Sequence, residues 1–182
     1  MKNVLFALIF STLLAMPMLH AQVEVVDPDL YHKNGTVAYD ESFGAVYASN
    51  QQQVFLKRMK IFNYADGRAA YEPRYKNIYY SDGSVAYNNL NKNLYYKNGM
   101  MAYNSSQHTV YDDKGQVMKQ LASTTETYTF SVENMKIIVS NFVKYEFEVD
   151  IPDDDFNYTT NLVNYFRISE KGTNKLLKEI NF

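Results

Sequence analysis

The chain contains no cysteine and no tryptophan, and among its 182 residues there are only four prolines, seven glycines and three histidines. Without cysteine there is no disulfide framework, no thiolate metal ligand and no thiol to carry a lipid, so stability must come from packing alone. The histidines, His20, His32 and His108, lie far apart in no ligand-like spacing. No metal and no cofactor is therefore expected, and His32 and His108 read as surface or turn residues. No Gly-rich phosphate cradle is present, no Gly-x-Ser-x-Gly elbow, and no Ser-x-x-Lys with its partner motifs. Charge of one sign is also lacking: 18 basic residues face 20 acidic ones, and the longest like-sign block is Asp153-Asp154-Asp155. Such a balance does not hold a phosphate backbone, and nucleic acid is not an expected partner.

Only one long apolar run occurs, from Val4 to Met18, preceded by Lys2 and followed by Leu19-His20-Ala21-Gln22. Its three regions read as a secretory signal peptide over residues 1–21, too short and wrongly flanked for a membrane span. No later stretch approaches a membrane-crossing length. The expectation is an exported protein, periplasmic, outer-membrane-associated or secreted, with no transmembrane segment after signal removal.

What the sequence does have is rhythm. Stepping by eight from residue 31 gives Tyr31, Tyr39, Tyr47, Phe55, Asn63, Tyr71, Tyr79, Tyr87, Tyr95, Tyr103 and Tyr111, aromatic everywhere but Asn63. A second rhythm of sixteen places Asn34-Gly35, Asn50-Gln51, Asp66-Gly67, Asp82-Gly83, Asn98-Gly99 and Lys114-Gly115 at even spacing. A fixed period of this kind marks a repeat architecture. Gly35, Gly67, Gly83, Gly99 and Gly115 are thereby assigned a structural turn role. Asp-Gly or Asn-Gly between short apolar runs is a strong hairpin signal, and the two-residue type I′ turn is its commonest form.

With Asp82-Gly83 as a two-residue loop, Tyr80 faces Val85, Tyr79 faces Ala86 and Ile78 faces Tyr87. Strand alternation then puts Ile78, Tyr80, Val85 and Tyr87 on one surface, with Tyr79 and Ala86 on the other. The next unit repeats this with Leu94, Tyr96, Met101 and Tyr103 against Tyr95 and Ala102. Carried along the chain, the second surface presents Tyr31, Tyr47, Tyr79, Tyr95 and Tyr111 separated by small residues. This row is the candidate binding site, because tyrosine joins a flat apolar ring to a hydroxyl at low entropic cost. Cross-strand packing is the competing role for the same rings.

The fold class expected is all-β: an antiparallel meander of 16-residue β-hairpin repeats followed by a smaller β-rich C-terminal segment. The divisions are a lead-in at 22–29, the array at 30–118, a joint at 119–125 and a C-terminal cap or small domain at 126–182, with a cover for the apolar face of the sheet as the third alternative for that last segment. About a dozen strands at ~4.8 Å make a sheet on the order of 50 Å long, whose core face needs a cover. In the array, Lys57-Arg58-Met59-Lys60 replaces the usual return turn with a basic cluster.

The units YYSDGSVAYN (79–88) and YYKNGMMAYN (95–104) resemble the MORN-variant repeats of bacterial exported proteins, with their Tyr-Tyr-x-Asn-Gly pattern. The resemblance spans about residues 30–118. It implies β-hairpin arrays used for interaction or scaffolding rather than a defined reaction.

Past Lys119 the rhythm stops. Thr127–Val132 and Tyr145–Ile151 alternate as half-buried strands, Met135–Val139 reads as another, and Asn164–Ser169 with Leu176–Ile180 as a last hairpin. A short helix over Asn161–Ile168 is the alternative there. Asp150, Asp153, Asp154 and Asp155 lack the spacing of a calcium loop and read as a solvated strand connection. The functional expectation is a non-enzymatic interaction or scaffold protein of the cell envelope, binding an envelope protein or a cell-wall glycan. The alternatives are a carbohydrate- or peptidoglycan-binding module using the Tyr/Ala face, and an envelope enzyme with carboxylate chemistry in the C-terminal part.

Overall fold

A computed structural model describes residues 29–123, 125–140, 144–162 and 164–181. The predicted signal segment and the lead-in up to residue 28 lie outside the described residues. Two antiparallel sheets make up the fold. The first runs in strict sequence order through β1 (Leu30–Tyr31), β2 (Val37–Asp40), β3 (Ala45–Tyr47), β4 (Gln53–Leu56), β5 (Ile61–Asn63) and β6 (Ala69–Glu72). It continues through β7 (Asn77–Tyr79), β8 (Val85–Asn88), β9 (Asn93–Tyr95), β10 (Met101–Asn104), β11 (Thr109–Tyr111) and β12 (Val117–Gln120), the last of which reaches into the predicted joint. The second sheet is also a meander: β13 (Thr127–Val132), β14 (Met135–Ser140), β15 (Lys144–Pro152), β16 (Phe156–Asn161), β17 (Tyr165–Glu170) and β18 (Leu176–Asn181). Residues 165–168 are strand, so the helical alternative falls. The polar strand β16 carried no prediction at all.

Two kinds of reversal alternate along the first sheet. At the glycine turns, the Gly83 N–H donates to the Tyr80 carbonyl and the Tyr80 N–H donates to the Ser84 carbonyl, 2.9 and 2.8 Å. Three residues, 81–83, therefore form the loop, rather than the two expected. Asp82 keeps a negative φ while Gly83 sits at +88°, which is a type I turn closed by a left-handed residue. The same pair of bonds recurs around Gly35, Gly67, Gly99 and Gly115, and Gln51 takes the left-handed position where glycine is missing. Each Asx side chain braces its turn, as when Asp82 Oδ1 accepts the Ser84 N–H at 2.9 Å.

The third loop residue shifts the register. Tyr79 pairs with Val85 and Ile78 with Tyr87, leaving Ala86 as the extra residue of a β-bulge. A bulge turns two successive side chains toward one side, and Ala86, Tyr87 and Ile78 are all buried. The expected Tyr79/Ala86 surface is therefore corrected: alanines 38, 70, 86 and 102 lie in the core. The tyrosines of the outer row instead oppose Val37, Gln53, Val85, Met101 and Val117.

The other reversals, residues 41–44, 57–60, 73–76, 89–92 and 105–108, are four-residue loops. Each ends on a left-handed residue: Gly44, Lys60, Lys76, Lys92 and His108. The basic segment at 57–60 is one of this series, its first three residues a 3-10 turn, and not a departure from it.

The second sheet covers the core face of the first. Phe166 of β17 stacks on Phe55 of β4 at 4.7 Å and reaches Phe62 of β5 at 6.3 Å. Tyr145 and Phe147 of β15 meet Tyr87 at 5.1 and 5.0 Å, and Phe130 of β13 meets Tyr96. The buried residues of both sheets form one apolar cluster. The C-terminal segment is therefore a lid on the sheet face rather than a cap on the array's end.

Because Gly83 has open space around its missing Cβ but a φ of +88°, Gly83→Ala isolates the backbone cost. It is expected to destabilise the protein by about 1–2 kcal/mol in denaturant unfolding, whereas Ser81→Ala in the same loop stays within about 0.5 kcal/mol.

Candidate functional site

Once the second sheet is in place, the other face of the first stays uncovered. Tyr31 is exposed there, and Tyr47, Tyr79, Tyr95 and Tyr111 are half-buried. Their hydroxyls are partly engaged by the neighbouring loops. The Tyr79 hydroxyl donates to Glu72 at 3.0 Å, Asn91 Nδ2 donates to the Tyr95 hydroxyl at 2.9 Å, and Tyr111 donates to Gln107 at 3.1 Å. Burial, ahead of the Glu72 contact, holds the Tyr79 phenol above its ordinary pKa. Beside these rings, cross-strand pairs such as Asn88–Asn93 and Glu72–Asn77 lie half-buried. The result is a ring row bordered by amides. Gaps lined by alanine are absent from it, because the bulge has moved those alanines inward.

The backbone of the same row is fixed from below. Tyr64, Tyr80 and Tyr96 lie sixteen residues apart, and each donates its hydroxyl to the carbonyl fifteen residues on: Tyr79, Tyr95 and Tyr111, all at 2.8 Å. In the first unit His32 takes this place, with Nε2 at 3.0 Å from the Tyr47 carbonyl. A carbonyl only accepts, so Nε2 carries a proton in this contact. His32 is thus buried in the core, not on the surface. The second unit has Ala48 in this position, and the lid supplies a hydroxyl nearby: Tyr158 donates to the Tyr47 carbonyl at 2.9 Å.

His32 also corrects the reading of the aspartates. Its Nδ1 faces Asp153 Oδ1 at 3.5 Å and Asp155 Oδ2 at 3.3 Å. Asp153 is buried and accepts the Ser49 N–H at 2.7 Å, while Asp155 accepts the Lys33 N–H at 3.0 Å. That backbone bond, with the Lys33 ammonium beside it, holds the Asp155 carboxyl below the ordinary range. The loop joining β15 to β16 is therefore a clasp onto the first two repeats through Asp153 and Asp155, with Asp154 exposed, and not a wholly solvated connection. Among the described residues no group of His, Asp and Glu is arranged to hold a metal ion, and no helix is long and apolar enough to cross a membrane.

A second surface escaped the sequence reading. On the outer side of the lid, alternate residues of β15, β16 and β17 line a groove of about 570 Å³, among them Glu148, Asp150, Asn157, Thr159, Tyr165 and Arg167. Arg167 lies 3.9 Å over the Tyr165 ring and pairs with Glu179 at 2.6 Å. Thr159 donates to Asp150 at 2.6 Å. The signal for it was the polar alternation of β16, which reads as a strand only once its neighbours are known.

No protein-family model matches this chain, and no curated protein or solved structure shows significant similarity to it. The hairpin-repeat architecture stands on the strand order and register alone.

The buried tyrosine ladder has a pH signature. Burial pushes the Tyr80 phenol from its ordinary 10.0 up to about 12, and moves Tyr64, Tyr145 and Tyr158 in the same direction. The neutral phenol is favoured in the folded state, so this stabilisation is complete below pH 10 and is lost as pH rises through about 12. Alkaline unfolding by circular dichroism is expected to coincide with a steep, cooperative rise of tyrosinate absorbance in that window. Ionisation of the full set of tyrosines near pH 10 with the fold intact contradicts the ladder.

Proposed function

We propose that this protein is a non-enzymatic exported interaction or scaffold module of the cell envelope, presenting the row Tyr31, Tyr47, Tyr79, Tyr95 and Tyr111 to an envelope protein or a cell-wall glycan. The observation that carries the reading is the division of labour between the faces: one aromatic face is sealed by the lid, and the other is left uncovered along the repeat. Rigid rings with amide neighbours suit recognition, because little side-chain entropy is lost on contact. The apolar segment Val4–Met18, preceded by Lys2 and followed by Ala21, supports export. The two tyrosine-pair units support a MORN-variant affinity for the array.

Carbohydrate binding is the second reading, favoured by the lid groove, where the Arg167–Tyr165 stack adjoins Asn157, Thr159 and Asp150. Carboxylate catalysis has less support: a cleaving pair needs acids placed across a substrate from each other, whereas the groove's Glu148 and Asp150 come from one strand.

Pulldown from envelope extract with the protein lacking residues 1–21 tests the leading reading. Tyr79→Ala/Tyr95→Ala is expected to weaken capture of the recovered partner on the order of tenfold or more. Equal capture by wild type and variant removes the row as the site.

A further inference from the structure

The two edges of the first sheet, where its loops emerge, differ in charge and in apolar content. On the glycine-turn edge, residues 33–35, 49–51, 65–67, 81–83, 97–99 and 113–115 carry three lysines and three aspartates. On the other edge, the five four-residue loops carry Lys57, Arg58, Lys60, Arg74, Lys76 and Lys92 against Glu41 alone. Glu41 is itself paired with Lys178 of the lid at 3.0 Å. A chain of net charge −2 thus concentrates cations on one edge. Neither Arg58 nor Arg74 takes part in an ion pair among the described residues.

The same loops carry four of the array's exposed large apolar side chains, the two most exposed, Leu90 and Phe43, among them. Phe43, Met59 and Tyr75 hold one loop position sixteen residues apart, and Leu90 lies one position off it in the next loop. Their exposures are 71%, 53%, 53% and 93%. No fold requirement explains this, since turn positions facing water favour polar residues. Successive loops on one edge are two strands apart, about 10 Å. Between the third and fourth loops lies a notch of about 390 Å³ lined by Arg74, Tyr75, Asn77, Asn88, Asn89 and Leu90.

We propose that this edge binds a linear acidic polysaccharide laid along the loops. The partner must be anionic, because the edge is cationic. It must also be a stiff polymer of regular charge spacing, because Lys60, Lys76 and Lys92 end three successive loops at a fixed step on a rigid sheet. A flexible acidic peptide gains nothing from that step. Extended β-linked glycans have a disaccharide repeat of comparable length, so successive carboxylates, one per disaccharide, meet the three basic loops 57–60, 73–76 and 89–92. The C–H faces of the sugar rings then lie on Phe43 and Tyr75, and the amides at the notch bond hydroxyls. The inference shares the binding-module reading but uses a different surface, so failure of the Tyr79/Tyr95 row leaves it standing.

The probe is hyaluronate, a β-linked polymer with one carboxylate per disaccharide. The controls are a neutral β-glucan, poly-glutamate and anionic phospholipid vesicles, each titrated onto the protein lacking residues 1–21. Hyaluronate is expected to bind and the neutral glucan not, with affinity falling as salt rises. With oligomers, affinity should climb until the chain spans the four loops from Phe43 to Leu90, about 30 Å. Arg58→Gln/Arg74→Gln should weaken binding on the order of tenfold, while Lys114→Gln on the opposite edge leaves it unchanged. The oligomer series needs no variant, so a folding defect in the double variant does not rescue or spoil the result. Absence of hyaluronate binding, equal binding of the neutral glucan, affinity already saturated at a disaccharide, or binding confined to vesicles or poly-glutamate overturns the proposal.

Discussion

The stacking of lid rings on array rings is the interaction from which the rest follows. A meander of strands two to four residues long pairs its backbone well but has one face rich in Phe, Tyr, Ile and Leu that water cannot be left to cover. Phe166 against Phe55 and Phe62, and Phe147 and Tyr145 against Tyr87, close that face. The chain has no cysteine, so no disulfide joins the layers. Polar contacts, among them Lys97–Glu133 and the His32–Asp153–Asp155 clasp, set the lid's position from one end of the array to the other.

The sixteen-residue unit serves that seam. A three-residue turn closed by left-handed glycine throws in a bulge, and the bulge turns an alanine and a tyrosine toward the same side. The alanine is small because it shares the core with the tyrosine that follows it. A second inward series, Tyr64, Tyr80 and Tyr96, donates its hydroxyls to carbonyls of the next unit, so those rings bring no unpaired polar atom with them. Identical units repeat identical geometry, which is why the surface features recur at a fixed step.

Much of this was legible before any coordinates. The period, the turn positions, the strands of the array and five of the six lid strands follow from aromatic spacing, Asx-Gly pairs and alternation. The register was not legible, because Asp-Gly fits a two-residue type I′ turn and a three-residue turn with a left-handed glycine alike; only the hydrogen bonds around Tyr80, Gly83 and Ser84 choose between them. One extra residue was enough to move Ala86 from the surface to the core. His32 was misread because its slot belongs to tyrosine in later units, and a single histidine carries no periodicity. Asp153 became a core residue through Ser49, more than a hundred positions away. The candidate row Tyr79, Tyr95 and Tyr111 came from the period itself, while the lid groove required knowing which faces of β15 to β17 turn outward.

The most direct test of the seam is native-state hydrogen exchange on Phe166→Ala, a change made wholly in the lid. If the two sheets stand or fall together, amides of β4 and β5 in the opposite sheet lose protection by about 3–5 kcal/mol, to the same extent as those of β17. If β4 and β5 keep their full protection while β17 alone weakens, the array is stable without its cover and the account is wrong.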